Sequence, residues 1–250
     1  MRIAFDLDGV LADLHTPFVA QATRLFPRLD PRVLGAADIG ASPDDTNRPA
    51  ARTPSVLPPV REVVLSQTES RDVWRALAAK RDFWETLAEC EPGMIARLSG
   101  LVEQRGWEVL FITSRPISAG RSVQRQSQRW LRRHGFELPS VYVVHGSRGQ
   151  IASALQLDVV VDDRPENCLD IVLESRAGAI LLWRGDAGRV PASAKRLGIA
   201  TVDTVAACLD ALAEAEDAGA ASGLLDRLRR LFGLRARPSA AFLRNQRTGS

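Results

Sequence analysis

Short, mainly apolar segments alternate along the chain with segments of helical spacing. The segments at residues 3–5, 107–112, 141–144, 158–161 and 179–183 have the length of buried strands. Between the later ones, apolar residues recur at intervals of three and four, as they do in helices. This alternation predicts an α/β fold with a doubly wound parallel sheet and right-handed crossovers. The predicted helices of the sheet region are residues 94–106, 120–134, 150–157 and 166–176.

A long insertion separates the first predicted strand from the rest of the sheet. Helical spacing occurs at residues 18–26 and 63–87, and the intervening residues 38–59 are rich in Pro, Asp, Ser, Thr and Arg. That composition predicts a long loop without regular structure. Residues 14–91 are therefore predicted to form a small, mostly helical cap inserted after the first strand.

The α/β core is assigned to residues 1–13 and 92–209, and the chain changes character after that. Residues 210–234 predict an amphipathic C-terminal helical segment, and residues 235–250 predict a disordered tail. Two interpretations of the C-terminal stripe stay open: packing on the domain or on a second copy, as in a homodimer, and weak contact with a membrane surface. The stripe consists of Leu224, Leu225, Leu228, Leu231 and Phe232, beside Arg227, Arg229 and Arg230.

Composition restricts the class of protein only broadly. The 250 residues are 45% hydrophobic and 25% charged, as in soluble globular proteins. The net charge is +3, and all but two of the 33 basic residues are arginine, which is weak support for any partner, so no specific nucleic-acid binding is expected. Cys90, Cys168 and Cys208 lie too far apart to indicate a zinc site or a disulfide framework. With no apolar run of membrane-spanning length and no signal peptide, a cytoplasmic protein is expected.

Polar side chains follow three of the predicted strands at the point where each strand ends. They are Asp6 and Asp8, Thr113 and Ser114, and Asp162 and Asp163. Each pair alone is compatible with ordinary turn chemistry. In a parallel sheet, however, the carboxyl ends of the strands share one edge, so the three pairs are expected to converge on one site. Buried neighbouring carboxylates are expected to share a proton, to meet a cation or to have a raised pKa, and a hard divalent cation such as Mg²⁺, with a phosphate substrate, best resolves their repulsion.

These residues resemble the haloacid dehalogenase (HAD) superfamily of phosphatases over residues 1 to about 185. The sequence DLDGV at residues 6–10 is similar to the first motif of the superfamily, TSR at 113–115 to the second, and VDD at 161–163 to the fourth. The third motif is normally a lysine, and the matching position here holds Arg148. The resemblance implies a HAD-like Rossmannoid core.

The resemblance also implies different catalytic roles for the two N-terminal aspartates. Asp6 would be the nucleophile that forms an aspartyl-phosphate, and Asp8 would be the general acid and then the general base. Mg²⁺ would be held by Asp6, the backbone carbonyl of Asp8 and Asp162. Asp163 would ligate the metal or support it, although capping of the next helix is an equal alternative.

Three further residues would hold the phosphoryl group by the same resemblance. The Thr113 hydroxyl and the Ser114 backbone amide would bind its oxygens. Arg148 would replace the lysine and neutralise Asp6 and the phosphoryl group, with a planar fork in place of a compact ammonium. The alternative for Arg148 is a solvated arginine in a turn.

A narrower resemblance concerns the 5'(3')-deoxyribonucleotidase branch of the superfamily. It depends on FWETL at residues 83–87, PG at 92–93, TSRP at 113–116 and DDRPEN at 162–167. The aromatic residues of the cap are candidates either to stack a nucleobase or to form the core of the cap. They are Phe18, Trp74, Phe83 and Trp84.

The resulting hypothesis is a magnesium-dependent phosphomonoester hydrolase that acts on a small phosphorylated metabolite, such as a (deoxy)nucleoside monophosphate. The alternative is a weakly active or non-catalytic binding or regulatory module with the HAD fold. Arg148, the loop at residues 38–59 and the basic C-terminal helix motivate that alternative.

Overall fold

The computed structural model describes residues 1–32, 34, 65–185, 188, 190–218 and 224–233. The predicted loop at 38–59 and the predicted tail at 235–250 lie outside the described residues.

The described strands form a six-stranded sheet and a separate two-stranded pair. The strands are β1 Arg2–Asp6, β2 Ala12–Asp13, β3 Ala88–Glu89, β4 Glu108–Thr113, β5 Ser140–Val143, β6 Val159–Asp162, β7 Gly178–Leu182 and β8 Ala200–Val202. The order in the large sheet is β5-β4-β1-β6-β7-β8, and β2 pairs with β3 in antiparallel fashion. The sheet is parallel, and the predicted α/β fold is confirmed.

Helices lie between most of the successive strands. They are α1 His15–Leu25, α2 Gln67–Ala78, α3 Met94–Arg105, α4 Val123–Arg133, α5 Arg148–Ala154, α6 Pro165–Glu174, α7 Ala192–Arg196, α8 Val205–Asp217 and α9 Leu224–Leu231, with a 3-10 helix at Phe83–Glu85. Across the part of the chain that the structure describes, none of the helices has the length and apolar character needed to span a membrane.

Local interactions explain where several predicted helices begin. The stretch predicted at 63–87 is interrupted: α2 starts after a capping box between Ser66 and Glu69, and the 3-10 helix and β3 follow it. The C-terminal helix α8 begins earlier than predicted, because the Thr204 hydroxyl accepts a hydrogen bond from the Ala207 amide and caps it. Neither α7 nor β8 was predicted, since both are very short.

The chain divides into two compact units. The first contains Met1–Asp6, Leu101–Val109 and Gly146–Ser250, and the second contains Leu7–Gly100 and Leu110–His145. The predicted boundaries of core, cap and C-terminal segment concern a different division of the chain and stay a prediction.

The first unit has its core where β1 and β6 to β8 meet α5, α6 and α8. Ile3, Phe5 and Val161 are fully buried there. Leu228 of α9 is also buried, and α9 packs on α8. Leu228 therefore packs within its own unit. A homodimer contact and a membrane contact of the C-terminal segment stay predictions.

The second unit has its core between α1, α2, the 3-10 helix and α4. The aromatic side chains assigned above either to base stacking or to the cap core are all buried. The rings of Phe18 and Trp74 lie 5.4 Å apart, and those of Phe83 and Trp84 lie 4.9 Å apart. Their burial favours the core interpretation, since a ring that stacks on a ligand needs an accessible face.

Candidate active site

The first unit brings Asp6 and Asp162 to neighbouring positions at the carboxyl ends of two paired strands. β1 pairs with β6 in parallel, with Phe5 opposite Val161, so the next position on each strand is an aspartate. Both side chains are buried, Asp162 almost completely. Burial of the apolar residues that precede them stabilises the two strands, and the two aspartates stand at the strand ends.

Arg148 is the cation that meets both of these carboxylates. Its Nη2 donates a hydrogen bond of 3.1 Å to Asp6 Oδ1, and its Nε lies 3.8 Å from Asp162 Oδ2. The residue is 4% exposed, so the interpretation of Arg148 as a solvated turn arginine is wrong. Its buried Nε has no hydrogen-bond partner among the described residues, which leaves one donor for a further group.

The position of Arg148 follows from the way α5 begins and packs. Arg148 is the first residue of α5, and the Ser147 hydroxyl caps the helix by accepting from the Gly149 and Gln150 amides. Gly149 lies so close to α6 that a Cβ there would be 2.2 Å from the Asp170 carbonyl oxygen. Only glycine permits this approach, which holds the start of α5 next to the strand ends.

Asp162 lies in a well-bonded but strongly desolvated environment. It accepts hydrogen bonds from the Arg164 amide at 2.9 Å and from Asn167 Nδ2 at 3.0 Å. Burial raises the pKa of Asp162 above its ordinary value, although Arg148 and these hydrogen bonds oppose the rise. The carboxylate form is therefore costly at this position unless positive charge is added nearby.

Asp163 is not the N-cap residue of the following helix. The N-cap position of α6 is Arg164, with Pro165 as the first helical residue, so Asp163 stands one position before the cap. Its role as a metal ligand or support stays a prediction.

The second unit contains Asp8 in the tight turn that follows β1. The amides of Leu11 and Ala12 both donate to the Leu7 carbonyl oxygen, and the Gly9 amide donates to the Ala12 carbonyl oxygen. Gly9 has a φ of +82°, a left-handed conformation that glycine adopts without strain. This turn fixes the backbone that carries Asp8.

The Asp8 carboxylate is held by Arg115. Arg115 Nε donates to both Asp8 oxygens, at 3.0 and 2.8 Å, and Nη2 donates to Oδ1 at 2.8 Å. The Thr113 hydroxyl lies 3.4 Å from Asp8 Oδ2, and it also accepts from the Arg115 amide at 3.3 Å. Thr113 is buried at the end of β4, and Ser114 is half-buried after it.

The structure thus forms two groups from the predicted site residues. Asp6, Arg148 and Asp162 meet in the first unit, and Asp8 and Thr113 meet in the second. Convergence of the two groups on one site stays a prediction.

Sequence reasoning gave no role to Arg115 or to Asn167. Arg115 directly follows Thr113-Ser114 at a strand end, and Asn167 is five positions after Asp162. Both residues lie within the segments that resemble the superfamily motifs, which was the available signal. The partner of Arg115 is 107 positions away, however, and the contact of Asn167 with Asp162 depends on how α6 begins.

The donor set of the first unit fits Mg²⁺ in chemical type. Among the described residues there is no cluster of three or more His, Cys, Asp and Glu side chains suited to a metal. Asp6 and Asp162 nevertheless supply two hard carboxylate donors, and magnesium commonly uses one or two carboxylates with water and a substrate phosphate. The raised pKa of Asp162 also indicates that additional positive charge would relieve a cost.

Comparison with solved structures bears on the fold. A crystal structure of a HAD family hydrolase from Deinococcus radiodurans R1, with bound phosphate and sodium, matches with a TM-score of 0.51 and 22% identity, over 85% of this chain and 95% of that one. The crystal structure of a hydrolase from Pseudomonas syringae has a TM-score of 0.47 and 15% identity, over 86% of this chain and 99% of that one. Neither a protein-family model nor a curated protein matches the sequence.

The likeness to the Deinococcus protein shows a shared fold. The predicted HAD-like architecture is therefore confirmed. At this level of identity the activity does not follow from the fold, and the resemblance to the 5'(3')-deoxyribonucleotidase branch stays a prediction.

Proposed function

We propose that this protein is a magnesium-dependent phosphomonoester hydrolase that acts through an aspartyl-phosphate. The observation that carries the proposal is the buried Arg148 guanidinium, which contacts Asp6 and lies within ion-pair distance of Asp162 at the ends of parallel strands. A preorganised cation in a water-poor place favours an anionic phosphoryl group and the charge that develops on it. The unused Nε donor of Arg148 is consistent with such a ligand.

The two N-terminal aspartates would share the chemistry. One residue separates Asp6 from Asp8, so their Cα atoms are at most about 7 Å apart. An Asp6 oxygen attacks phosphorus while the bond to the leaving oxygen breaks, and that oxygen takes a proton from Asp8. Water then attacks phosphorus and gives a proton to Asp8, and the bond between phosphorus and Asp6 breaks. Phosphate leaves, and both aspartates regain their initial protonation states.

Other predicted residues would bind the phosphoryl group and the metal. The Thr113 hydroxyl and the Ser114 amide would donate to phosphoryl oxygens. Mg²⁺ would be held by the carboxylates of Asp6 and Asp162 and the carbonyl of Asp8, with Asp163 as a ligand or support. When bound, the metal supplies positive charge that offsets the repulsion between a carboxylate nucleophile and a phosphate.

The proposed substrate is a small phosphorylated metabolite, with a (deoxy)nucleoside monophosphate as the first candidate. Support for a nucleotide comes from the sequence segments at residues 83–87, 92–93, 113–116 and 162–167. The buried aromatic residues of the second unit are assigned to its core, so base recognition is not proposed for them.

The proposal is tested by phosphate release from p-nitrophenyl phosphate and from a panel of nucleotides and sugar phosphates. Turnover is expected with Mg²⁺ and should be lost with EDTA and in Asp6→Asn. Asp158→Asn is the matched control, because Asp158 bonds the Arg2 amide at the start of β6 and has no proposed role. Negligible turnover under all conditions would favour the binding or regulatory module instead.

A further inference from the structure

We infer that Arg115 is a positioning residue that fixes the carboxylate of the proposed acid/base, Asp8. This inference rests on the proposed function. Arg115 contacts Asp8 through two nitrogens and three hydrogen bonds, which is the planar fork geometry that arginine forms with a carboxylate. Two nitrogens bonded to one carboxylate fix its rotation as well as its place.

Further contacts hold the Arg115 guanidinium in place. Arg115 Nη1 donates to the Ser127 hydroxyl at 2.9 Å, and the Arg115 side chain has 0% exposure. Its guanidinium carbon lies 4.8 Å from the ring centroid of Trp84 and 5.7 Å from that of Trp130. Stacking between aromatic faces and a fixed hydrogen bond leave the guanidinium little freedom.

The two tryptophans are in turn bonded to the backbone of the same unit. Trp84 Nε1 donates to the Pro116 carbonyl at 3.1 Å, and Trp130 Nε1 donates to the Leu87 carbonyl at 2.7 Å. The Trp84 amide also donates to Gln126 Oε1 at 3.0 Å. The orientation of Asp8 is thus determined by a chain of contacts that runs through Arg115 into the core.

A fixed carboxylate matters because proton transfer requires the oxygen to lie within hydrogen-bond reach of the leaving oxygen. Arg115 would act through Asp8 and would not touch the substrate. Its removal should therefore impair the step that needs the Asp8 proton more than steps that do not. A leaving group that departs readily as an anion needs that proton least.

The test compares Arg115→Lys with wild type on two substrates: p-nitrophenyl phosphate, whose phenolate leaves easily, and an alkyl phosphomonoester with a poor leaving group. Lysine keeps the charge and loses the fork. We expect kcat/KM on the alkyl ester, which reports on the steps through formation of the aspartyl-phosphate, to fall about 100-fold, at the low end of the contribution of general acid–base catalysis. The fall of kcat/KM on p-nitrophenyl phosphate should be at least tenfold smaller, because hydrolysis of the aspartyl-phosphate, where Asp8 acts as a base for both substrates, does not enter this quantity.

A double-mutant cycle separates a role through Asp8 from a general structural role. In an Asp8→Asn background, Arg115→Lys should cause little further loss on the alkyl ester, because the group it positions is already absent. If the losses of the two single variants on the alkyl ester multiply in the double variant, the inference is wrong. An unchanged ratio of kcat/KM between the two substrates in Arg115→Lys would overturn it as well.

The matched control is Arg133→Lys. Arg133 Nη2 pairs at 2.7 Å with Glu85, another buried carboxylate of the second unit, and neither residue has a proposed catalytic role. Arg133→Lys should leave the substrate ratio at the wild-type value. If Arg115→Lys fails to fold, Ser127→Ala replaces it: this variant removes only the Nη1 contact, and a smaller shift of the ratio in the same direction is expected.

Failure of the inference can be distinguished from failure of the proposed function. If wild type hydrolyses neither these esters nor any nucleotide or sugar phosphate of the panel with Mg²⁺, the proposed function fails and the positioning role fails with it. If wild type is active and the Arg115 variants keep the wild-type ratio, the positioning role alone is wrong.

Discussion

At the scale of single residues, two buried arginines pair with the carboxylates proposed to do the chemistry. Arg148 contacts Asp6 in the first unit, and Arg115 contacts Asp8 in the second. A buried ion pair contributes little net stability, but losing one partner leaves an uncompensated charge in a low dielectric. Pairs of this kind are therefore better explained by the function of the site than by the stability of the fold.

Replacement of Arg148 should separate charge from geometry. Arg148→Ala is expected to lower kcat by about 100-fold or more, the usual effect of deleting one preorganised donor. It should also lower the free energy of unfolding by about 3–5 kcal/mol, because Asp6 and Asp162 would remain without their shared cation. Arg148→Lys should retain most of the activity or improve it.

Steady-state kinetics and urea unfolding on both Arg148 variants provide the measurements. Unchanged kinetics in Arg148→Ala would remove Arg148 from the proposed mechanism, even if its stability fell as expected.

Replacement of Asp162 should change how stability depends on pH. Burial raises the pKa of Asp162 in the folded protein above its ordinary value of 3.8. The folded state then binds the proton of Asp162 more tightly, so the contribution of Asp162 to stability is fully present below that value and is lost as the pH rises through the raised pKa. Asp162→Asn cannot titrate and can still accept from the Arg164 amide.

The expected result is that Asp162→Asn melts at a higher temperature than wild type at neutral pH, with EDTA present to exclude metal. The difference in Tm should shrink as the pH is lowered towards 4, close to the ordinary pKa of 3.8. A lower Tm for Asp162→Asn at neutral pH would show that the raised pKa does not govern stability at this position.

At the scale of elements, the apolar pattern located β1, β4, β5, β6 and β7, because each is a short, mainly apolar run. β6, for example, is Val159–Asp162 and is buried throughout. β8 and α7 have three and five residues, too few to show a period. The helical spacing at 63–87 covers both α2 and the 3-10 helix, because apolar residues recur at helical intervals in each while the backbone turns between them.

The packing of α5 on α6 provides a prediction at this scale. In Gly149→Ala the new Cβ would clash with the Asp170 carbonyl and with Glu174, so α5 must move. Overpacking of this kind costs about 1–3 kcal/mol of folding free energy. Because Arg148 starts α5, kcat should fall as well. Gly146→Ala is the control: it has open space around the position, so both stability and kcat should change little.

Thermal unfolding and phosphate release on the two alanine variants test this. Equal stability of Gly149→Ala and Gly146→Ala would mean that the close approach of α5 and α6 does not constrain the site.

At the scale of the whole molecule, the fold class and the strand-end positions of Asp6, Thr113 and Asp162 could be predicted, since both follow from local patterns and the rule for parallel sheets. The partners of the charged groups could not. The Arg148–Asp6 pair joins residues 142 positions apart, and the Arg115–Asp8 pair joins residues 107 apart. No periodicity encodes such contacts, which depend on tertiary packing and on a close approach such as that of Gly149.

Metal binding gives a prediction about the molecule as a whole. A ligand that binds only the folded state stabilises all of it, by about 2.7 kcal/mol when its concentration is 100 times Kd. Since 1 kcal/mol shifts the Tm of a chain of this size by about 2–4 °C, saturating Mg²⁺ should raise the wild-type Tm by several degrees. Asp6→Asn and Asp162→Asn should each lose that increase, whatever their Tm without metal.

Asp158→Asn controls for the general effect of removing an aspartate from the first unit, and it should keep the full increase, because Asp158 bonds the Arg2 amide away from the proposed ligands. Sodium chloride at equal ionic strength should not raise the Tm comparably. Ionic screening acts on all exposed charges and does not depend on the pair Asp6 and Asp162. An equal increase in wild type and in both ligand variants would place magnesium elsewhere. The metal dependence of any measured hydrolysis would then need ligands other than Asp6 and Asp162.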